Sequence, residues 1–362
     1  MKGRVAALVG PRQVEIKEFD LPEAKPGAVL TKIRRSNLCG SELHIWNHFH
    51  PLIKYGVLGH EMVAEIFELG EGVSTDYAGN PVQVGDRVVA PYYLTCQKCA
   101  NCLRGDFNLC LNAYTYWKQP PENPPHFTGT FATHYYIHPN QYFYKVPDSV
   151  PDNIVAGANC GLSQVIFGLN KANLKNGETL VIQGAGGLGL YATAVAKEKG
   201  AKVIIIDSVE QRLEVAKRFG ADCAINMKNY ASMEARVQEV QRMTSGQGGD
   251  VVLEVAGVPA AFVEGLNMVR PAGRYVSIGN VNVSKEFEVS MSPGLITRKS
   301  CQVIGVVRYN PWYLYEALKF LERNHTQYPF GDLTDKEYSL DEVQIALEKA
   351  EAREVTRPVI VP

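Results

Sequence analysis

Residues 178–226 are ETLVIQGAGGLGLYATAVAKEKGAKVIIIDSVEQRLEVAKRFGADCAIN, a run in which fully apolar segments alternate with amphipathic ones. Apolar strands joined by crossover helices are typical of a parallel sheet that helices cover on both faces. The alternation continues through DVVLEVAG and GRYVSIGN. This part of the chain therefore predicts a doubly wound parallel-sheet domain of the Rossmann type.

A glycine-rich motif connects the first strand of this run to its first helix. The hexapeptide GAGGLG has the spacing G-x-G-x-x-G and stands between TLVIQ and LYATAVAKE. In that context the glycines permit a tight turn, close approach of a diphosphate and close packing of helix on strand. The alternative is a doubly wound sheet that binds no nucleotide. We expect a dinucleotide to bind at Gly184, Gly186, Gly187, Leu188 and Gly189.

An acidic residue ends the second strand of the run. Asp207 closes KVIIID, eighteen residues after Gly189. A carboxylate at this place accepts hydrogen bonds from both ribose hydroxyls and repels a 2′-phosphate, which favours NAD over NADP. Arg212, five residues further on, can contact the adenosine side, so the preference need not be absolute.

The composition is that of an ordinary globular protein with more than one domain. The chain has 362 residues, of which 46% are hydrophobic and 21% are charged, and its formal net charge is -1. A chain of this length exceeds one compact core. We expect a catalytic domain over 1–157 and 303–362 and a dinucleotide-binding domain over 158–302. With no excess of basic residues, nucleic-acid binding is not expected.

The termini and the cysteines bear on location. The run MKGRVAALVG is too short to be a signal peptide, and no segment approaches the roughly 18 apolar residues of a membrane span. We expect no membrane partner and a cytoplasmic location. In that compartment the eight cysteines are reduced and free to bind metal.

Short β-rich segments dominate the chain up to about residue 144. GAVLTKIRRS, EMVAEIFELG and DRVVAPYYL are bounded by Gly, Pro or Asp, and VGDRVVAP predicts a tight turn into a strand of a partly closed β-barrel. The proline-rich run WKQPPENPPHFTG predicts a loop. Beyond residue 303 we expect two helices, PWYLYEALKFLER and SLDEVQIALEKA, and a closing strand, RPVIV.

A cysteine quartet with the spacing C-x2-C-x2-C-x7-C stands in CQKCANCLRGDFNLC. Such short spacings let one loop deliver several thiolates to a tetrahedral zinc ion. A pair of disulfides is the alternative, but adjacent x2 spacings give poor disulfide geometry. A zinc whose four positions are all filled by protein has no room for substrate. We therefore predict a structural zinc at Cys96, Cys99, Cys102 and Cys110.

Three other short runs contain residues with metal-ligand chemistry. NLCGSELHIW contains Cys39, LGHEMVAE contains His60, and GANCGLS contains Cys160. A lone cysteine or histidine is more often a core residue than a ligand, so only the grouping of these residues favours a second metal site.

Together these motifs resemble a known family. CGSELH, GHE, the cysteine quartet, NCG and GAGGLG are similar in order and spacing to those of the zinc-dependent medium-chain alcohol dehydrogenases, over essentially the whole chain. The resemblance implies a GroES-like catalytic domain and a catalytic zinc held by Cys39, His60 and Cys160, with Asn159 a less favoured ligand. Three protein ligands leave the fourth position for water or substrate.

The resemblance also implies roles around that metal. Glu61 would lie behind the metal, and Glu42 would hold the ring of His60 at a position where the family commonly has Asp. Ser41 would take the alcohol proton and His44, titrating near neutrality, would deliver it to solvent. The alternative for Ser41 is a helix cap. The last implied role places Arg357 near the cofactor diphosphate.

The substrate pocket implied by the resemblance is aromatic. It would be lined by Trp46, Tyr92, Trp117 and Phe127, which suits a bulky apolar alcohol or aldehyde. Aromatic residues also fill ordinary cores, and this alternative stays open.

We therefore expect an oxidoreductase that uses NAD and two zinc ions per chain to interconvert a small-molecule alcohol and an aldehyde or ketone. The resemblance implies a homodimer or homotetramer, with RYVSIGNV, as the last strand of the nucleotide sheet, at the subunit interface. One alternative is a polyol or amino-alcohol dehydrogenase of the same superfamily. The other is a zinc-free reductase or a non-catalytic binding protein on this scaffold.

Overall fold

The computed structural model describes residues 1–362, which form two compact units. The first unit comprises Met1–Ser163 and Asn310–Pro362, and the second comprises Gln164–Tyr309. Both boundaries lie later than the predicted ones at 157 and 303. The boundary near residue 157 lies later because the turn that carries Cys160 belongs to the first unit. The boundary near residue 303 lies later because a strand at Gln302–Gly305 completes the sheet of the second unit.

The first unit consists mainly of strands. Its strands are β1 (Lys2–Gly10), β2 (Gln13–Asp20), β3 (Val29–Asn37), β4 (Gly56–Val57), β5 (Val63–Leu69), β6 (Arg87–Val89), β7 (His134–Ile137), β8 (Tyr144–Lys145), β15 (Glu337–Ser339) and β16 (Val359–Val361). Its helices are α1 (Gly40–Trp46), α2 (Ala100–Leu103), α3 (Asp152–Val155), α10 (Trp312–Asn324) and α11 (Val343–Glu351).

Two sheets organise these strands. The smaller has the order β2-β1-β4, and the larger has the order β15-β16-β3-β5-β6-β8, with β7 also paired to β3. The closing strand β16 pairs antiparallel with the end of β3, with Val359 opposite Asn37. This pairing places the C-terminal segment beside the start of α1, where the first cluster of candidate ligands begins.

The second unit alternates strands and helices. Its strands are β9 (Thr179–Gln183), β10 (Lys202–Asp207), β11 (Cys223–Asn226), β12 (Gly249–Glu254), β13 (Val269–Ser277) and β14 (Gln302–Gly305). Its helices are α4 (Ser163–Lys171), α5 (Gly187–Glu198), α6 (Glu210–Arg218), α7 (Met233–Met243), α8 (Pro259–Met268) and α9 (Gly294–Lys299). No helix anywhere in the chain combines the length and the apolarity needed to cross a membrane.

All strand pairs of the second unit are parallel, in the order β11-β10-β9-β12-β13-β14. In chain order this is 3-2-1-4-5-6, the arrangement of a Rossmann sheet, with β9 at the point where the order reverses. Strand β10 is buried along its length except at Lys202, because helices cover both faces. The predicted doubly wound sheet is confirmed.

One detail of the predicted sheet is wrong. The first half of the segment RYVSIGNV, Arg274–Ser277, lies in β13, which is flanked by β12 and β14 and so is not the last strand. The strand at this end of the sheet is β14, whose residues are largely exposed. Sequence analysis missed it because it is only four residues long and the predicted boundary between the domains falls within it.

Candidate functional site

Four ligating side chains from three segments of the first unit converge. Cys39 immediately precedes α1, His60 and Glu61 lie just before β5, and Cys160 is in a π-helical turn at Ala158–Leu162. Their ligating atoms all lie within 4.8 Å of one another. The Sγ atoms of Cys39 and Cys160 are 3.9 Å apart, and His60 Nε2 is 3.3 Å from Cys160 Sγ. The structure thus brings together the three expected ligands and adds Glu61.

A buried carboxylate fixes the ring of His60 from behind. His60 Nδ1 is 2.5 Å from Oε1 of Glu42, which lies on α1 and is 0% exposed. With Nδ1 engaged, Nε2 is directed at the cysteine sulfurs. A histidine held in this way presents the correct nitrogen to a metal. The longer Glu therefore makes the contact that was expected of it in place of Asp.

Glu61 is paired with Arg357 near the C-terminus, 296 residues away in the chain. The Arg357 guanidinium donates to Glu61 Oε2, and both side chains are buried, at 7% and 0% exposed. Sequence analysis expected Arg357 at a cofactor diphosphate. The structure gives it a partner in the ligand cluster, a contact that no local sequence signal indicated, and its place near the diphosphate stays a prediction.

The donor set of this cluster fits a zinc ion. Two thiols, an imidazole and a carboxylate are among the ligands that zinc accepts. Glu61 Oε1 is buried and has no hydrogen-bond partner in the protein, so one oxygen is available to a cation. A hydrogen bond with Cys160 holds the pKa of Cys39 well below its usual value and raises the pKa of Cys160 well above it. One thiolate is therefore favoured by the protein alone, and a cation would favour the second.

Asn159 has a different role from its neighbour Cys160. Its side-chain amide nitrogen donates to the backbone carbonyls of His60 and Ala90, each at 2.8 Å. Asn159 therefore ties the turn that carries Cys160 to the segment that carries His60, so it positions ligands from two segments.

The two residues of the expected proton relay lie on α1. Ser41 Oγ is 3.4 Å from His60 Nε2, and α1 has no side-chain capping hydrogen bond, which removes the alternative of a helix cap. His44 follows Ser41 by three residues, a spacing that places both on one side of a helix. Burial lowers the pKa of His44, against the raising effect of Cys39. Burial therefore favours the neutral imidazole of His44.

Two of the four expected pocket residues contact the ring of His60. The ring centroids of Tyr92 and Trp117 are 4.9 Å and 5.4 Å from that of His60, and 5.6 Å from each other. Tyr92 is half-buried, whereas Trp117 is 6% exposed and packs in the same core cluster as Trp46.

The other two are core residues, so this part of the expectation is wrong. Trp46 is 0% exposed and has the Arg12 guanidinium 4.1 Å from its ring centroid. Phe127 is also 0% exposed and packs against residues such as Val5 and Leu30. A side chain without accessible surface cannot touch a substrate.

Tyr114 adds a third ring to those of Tyr92 and Trp117, and these three residues are called the aromatic wall below. Sequence analysis did not predict Tyr114 as part of the site. Its ring lies 5.7 Å from that of Trp117, and the ring of His50 lies 5.8 Å beyond it. The available signal was the aromatic run AYTYW at 113–117. Aromatic composition alone does not reveal which rings face a site.

The cysteine quartet forms a second cluster, with its four sulfurs within 4.8 Å of one another. Cys110 Sγ accepts the backbone N–H groups of Cys96 and Asn112 at 3.3 Å and 3.4 Å. Burial raises the pKa of Cys96, but hydrogen bonds from groups that include the Lys98 backbone outweigh it and lower that pKa to about 6. All eight cysteines are free thiols, so the disulfide alternative is not realised.

The glycine motif of the second unit occupies the turn between β9 and α5. A Cβ added at Gly189 would lie 2.0 Å from the Gly184 carbonyl oxygen, so that glycine is required by packing. A Cβ at Gly186 would meet no atom within 4 Å, so packing does not require glycine there. Close approach of a bound diphosphate would require it.

Asp207 lies at the same edge, and Arg212 is in the first turn of α6. The Asp207 carboxylate accepts the backbone N–H groups of Ala185 and Val209, at 2.8 Å and 2.9 Å. It thereby holds the glycine turn, and each oxygen retains a lone pair for a ribose hydroxyl.

Comparison with known proteins gives matches to both units. Residues 25–148 match the family of alcohol dehydrogenase GroES-like domains, and residues 187–323 match the zinc-binding dehydrogenase family. These matches agree with the expected fold class, a GroES-like domain plus a Rossmann domain.

Individual relatives cover the whole chain. It is 32% identical over 360 residues to 5-exo-hydroxycamphor dehydrogenase of Pseudomonas putida, covering 99% of this chain and 98% of that protein. It is 30% identical over 368 residues to sorbitol dehydrogenase of Halalkalibacterium halodurans, covering 100% and 99%. An alcohol dehydrogenase structure from Thermotoga maritima matches with a TM-score of 0.93 and 26% identity, covering 100% of both chains.

Proposed function

Because this chain belongs to the zinc-dependent medium-chain dehydrogenase/reductase family and is a dehydrogenase of the alcohol type, we propose that it oxidises an alcohol reversibly with NAD and a zinc ion at the Cys39 cluster. The observation that carries the proposal is the convergence of Cys39, His60 and Cys160 around one point, with His60 oriented by Glu42. When bound, zinc supplies Lewis acidity that favours the alkoxide, and NAD accepts the hydride.

The protein side chains would supply the proton path. Ser41 Oγ, 3.4 Å from His60 Nε2, is placed to accept the proton of an alcohol at the cluster. His44 lies one helical turn further along α1 and would receive that proton for transfer to solvent. Its lowered pKa keeps the imidazole neutral, and so able to accept a proton, at pH 7.

The buried ion pair sets the charge behind the cluster. Burial raises the pKa of Glu61, and Arg357, which donates to Oε2, opposes that effect and so supports the charged form of the acid next to the two cysteines. We infer that the pair limits the negative charge around the ion, which preserves its Lewis acidity.

Asp207 is the reason for proposing NAD rather than NADP. Its carboxylate is 8% exposed at the edge that carries the glycine turn, and a 2′-phosphate there would be repelled. Arg212 lies on α6 in partly buried surroundings and is placed to contact the adenosine part.

A second zinc is proposed at the cysteine quartet. Four thiolates fill a tetrahedral coordination shell, so this ion would hold the loop over 96–110 and take no part in the reaction.

For the substrate we propose a bulky apolar alcohol. The aromatic wall of Tyr92, Trp117 and Tyr114 offers apolar surface beside His60. The relative named for hydroxycamphor agrees with this choice. A polyol is the second candidate, favoured by the similarity to a sorbitol dehydrogenase.

The assembly we propose is a homo-oligomer, a dimer or tetramer. Strand β14 leaves one edge of its sheet unpaired, and Val303 on it is 41% exposed. An exposed apolar edge strand is suited to pairing with a second copy. The cytoplasmic location stays a prediction.

One purified sample tests the proposal. Metal analysis should give two zinc ions per chain, and steady-state rates should favour NAD over NADP and cyclic apolar alcohols over sorbitol. Turnover of polyols alone would favour the second candidate. One metal per chain with no turnover of any alcohol would favour a non-catalytic binding protein.

A further inference from the structure

Glu254 is a buried acid that the proposed mechanism does not use. It ends β12 in the interior of the parallel sheet, opposite Gln183 of β9 and Ser277 of β13, and it is 0% exposed. Its side chain makes no ion pair, and each partner is a neutral donor. A carboxylate buried without a cation is costly unless hydrogen bonds satisfy it.

Those hydrogen bonds join two loops that follow neighbouring strands. Glu254 Oε1 accepts the N–H of Gly257 at 2.7 Å, in the loop after β12. Glu254 Oε2 accepts the N–H of Asn280 at 3.1 Å, in the loop after β13, and the Ser277 hydroxyl at 3.4 Å. One carboxylate therefore connects both loops at the carboxyl edge of the sheet.

The loops also approach each other closely at this point. A Cβ added at Gly279 would lie 2.5 Å from the Gly257 nitrogen and 2.6 Å from Glu254 Oε1, so only glycine fits. The Asn280 side-chain amide donates to the Val258 carbonyl at 3.4 Å. The two loops are thus held as one structure, with Glu254 at its centre.

The position of this structure indicates its use. In open parallel sheets, ligands bind outside the carboxyl ends of the strands, next to the point where the strand order reverses. Strand β12 adjoins β9, which carries the glycine turn, and the Val255 N–H donates to the Gln183 carbonyl at 3.1 Å. The loops fixed by Glu254 therefore border the place where the dinucleotide is proposed to bind.

We propose that Glu254 is a positioning residue for the dinucleotide: it fixes the loops over 255–258 and 278–280 before the cofactor arrives. Loops ordered in advance lose less conformational entropy on binding, which strengthens affinity. This inference rests on the proposed nucleotide site and adds a residue to it that neither the glycine motif nor the family resemblance indicated.

The test is Glu254→Gln, which keeps the size of the side chain. A glutamine offers one acceptor oxygen in place of two, and its NH2 group faces a backbone N–H, so one loop loses its anchor. We expect the Kd for NAD, measured by calorimetry on the purified protein, to rise about tenfold. In steady state the KM for NAD should rise while the KM for the alcohol stays unchanged, a split that a general loss of stability would not give.

Glu178→Gln is the matched control. Glu178 immediately precedes β9, at the amino ends of the strands of the same sheet, and is paired with Arg274. Its replacement should therefore leave NAD binding unchanged. If Glu254→Gln does not fold, Glu254→Asp keeps the charge but shortens the reach of the carboxylate towards the two loops, and it should weaken binding by a smaller factor.

The outcomes separate the two ideas. No NAD binding by the unmodified protein contradicts the proposed cofactor. NAD binding within twofold of the unmodified protein in a folded Glu254→Gln, or in Glu254→Asp where the first does not fold, overturns the positioning role. An equal loss of binding in Glu178→Gln would also overturn it.

Discussion

At the scale of single residues, Glu42 is the residue on which the orientation of His60 depends. It is fully buried, and one oxygen contacts His60 Nδ1 at 2.5 Å. Glu42→Gln keeps the shape but removes the charge that fixes the ring, so we expect zinc affinity at this cluster to fall about 10–100-fold. Competition with a chromogenic chelator would measure it.

The control for that change is Glu18→Gln, since Glu18 forms only an exposed ion pair with Lys2. Zinc release from the second proposed site, the cysteine quartet, would provide an internal reference in the same titration. Equal zinc affinity in Glu42→Gln and the unmodified protein would mean that packing alone orients His60.

A second residue-scale prediction concerns pH and His138. Burial lowers the pKa of His138 to about 3, and its ring is stacked on Tyr116. A histidine whose pKa is near 6.5 in the unfolded protein and near 3 in the folded protein binds more protons when unfolded. Its contribution to the free energy of unfolding is therefore complete above pH 6.5 and is lost as the pH falls. Between pH 6.5 and 5 the loss is about 2 kcal/mol.

Urea unfolding of His138→Phe at pH 7 and at pH 5 tests this. The variant should lose less stability on acidification than the unmodified protein, by about 2 kcal/mol. His134, whose pKa burial lowers to about 4, titrates in both proteins and so cancels in the difference. Identical pH dependence in the two proteins would contradict the assignment.

At the scale of elements, we propose separate roles for the loop over 96–110 and the segment around α1. The loop carries the cysteine quartet and contacts the start of α10, where the ring of Phe107 lies 5.7 Å from that of Trp312. Cys39, in contrast, lies at the start of α1 among residues that the core already holds. Loss of a ligand should therefore have different consequences in the two elements.

We predict that Cys39→Ala abolishes activity but leaves the thermal midpoint nearly unchanged. Cys99→Ser should lower the unfolding free energy by roughly 4 kcal/mol, because loss of a structural metal is among the most costly single changes. Activity, zinc content and thermal unfolding of both variants provide the comparison. If both lose stability equally, the division between a reactive and a structural zinc is wrong.

The elements also show what the sequence could and could not predict. Strands β9 and β10 have the predicted bounds, because their continuous apolar runs leave one way to bury them. Helix α5 begins three residues earlier than predicted, since its first turn includes part of the glycine motif.

The contacts of the site between residues far apart in the chain could not be predicted from the sequence. The pairing of Glu61 with Arg357 joins residues 296 positions apart, and no local pattern marks it. Trp46 and Phe127 show the same limit. Aromatic residues have the same spacing in the sequence whether they fill a core or line a pocket, and only the fold decides which of the two they do.

At the scale of the whole molecule, the exposed edge of the nucleotide-type sheet leads to the last prediction. Strand β14 pairs with β13 on one side only, and Val303 on it is 41% exposed. Unpaired edges are usually blunted by charge or covered, and this one carries apolar side chains. A two-fold axis beside β14 would pair it with the same strand of a second chain.

We therefore predict that the 40.0 kDa chain elutes as a dimer or tetramer in light-scattering chromatography, and that Val303→Lys shifts it towards the monomer. A lysine on each copy would place like charges against each other across the axis and oppose pairing. Val84→Lys, at a 60% exposed turn of the other unit, is the matched control and should leave the mass unchanged. A monomeric unmodified protein would contradict the predicted assembly. A Val303→Lys assembly that persists at micromolar concentration would show that β14 does not form the interface.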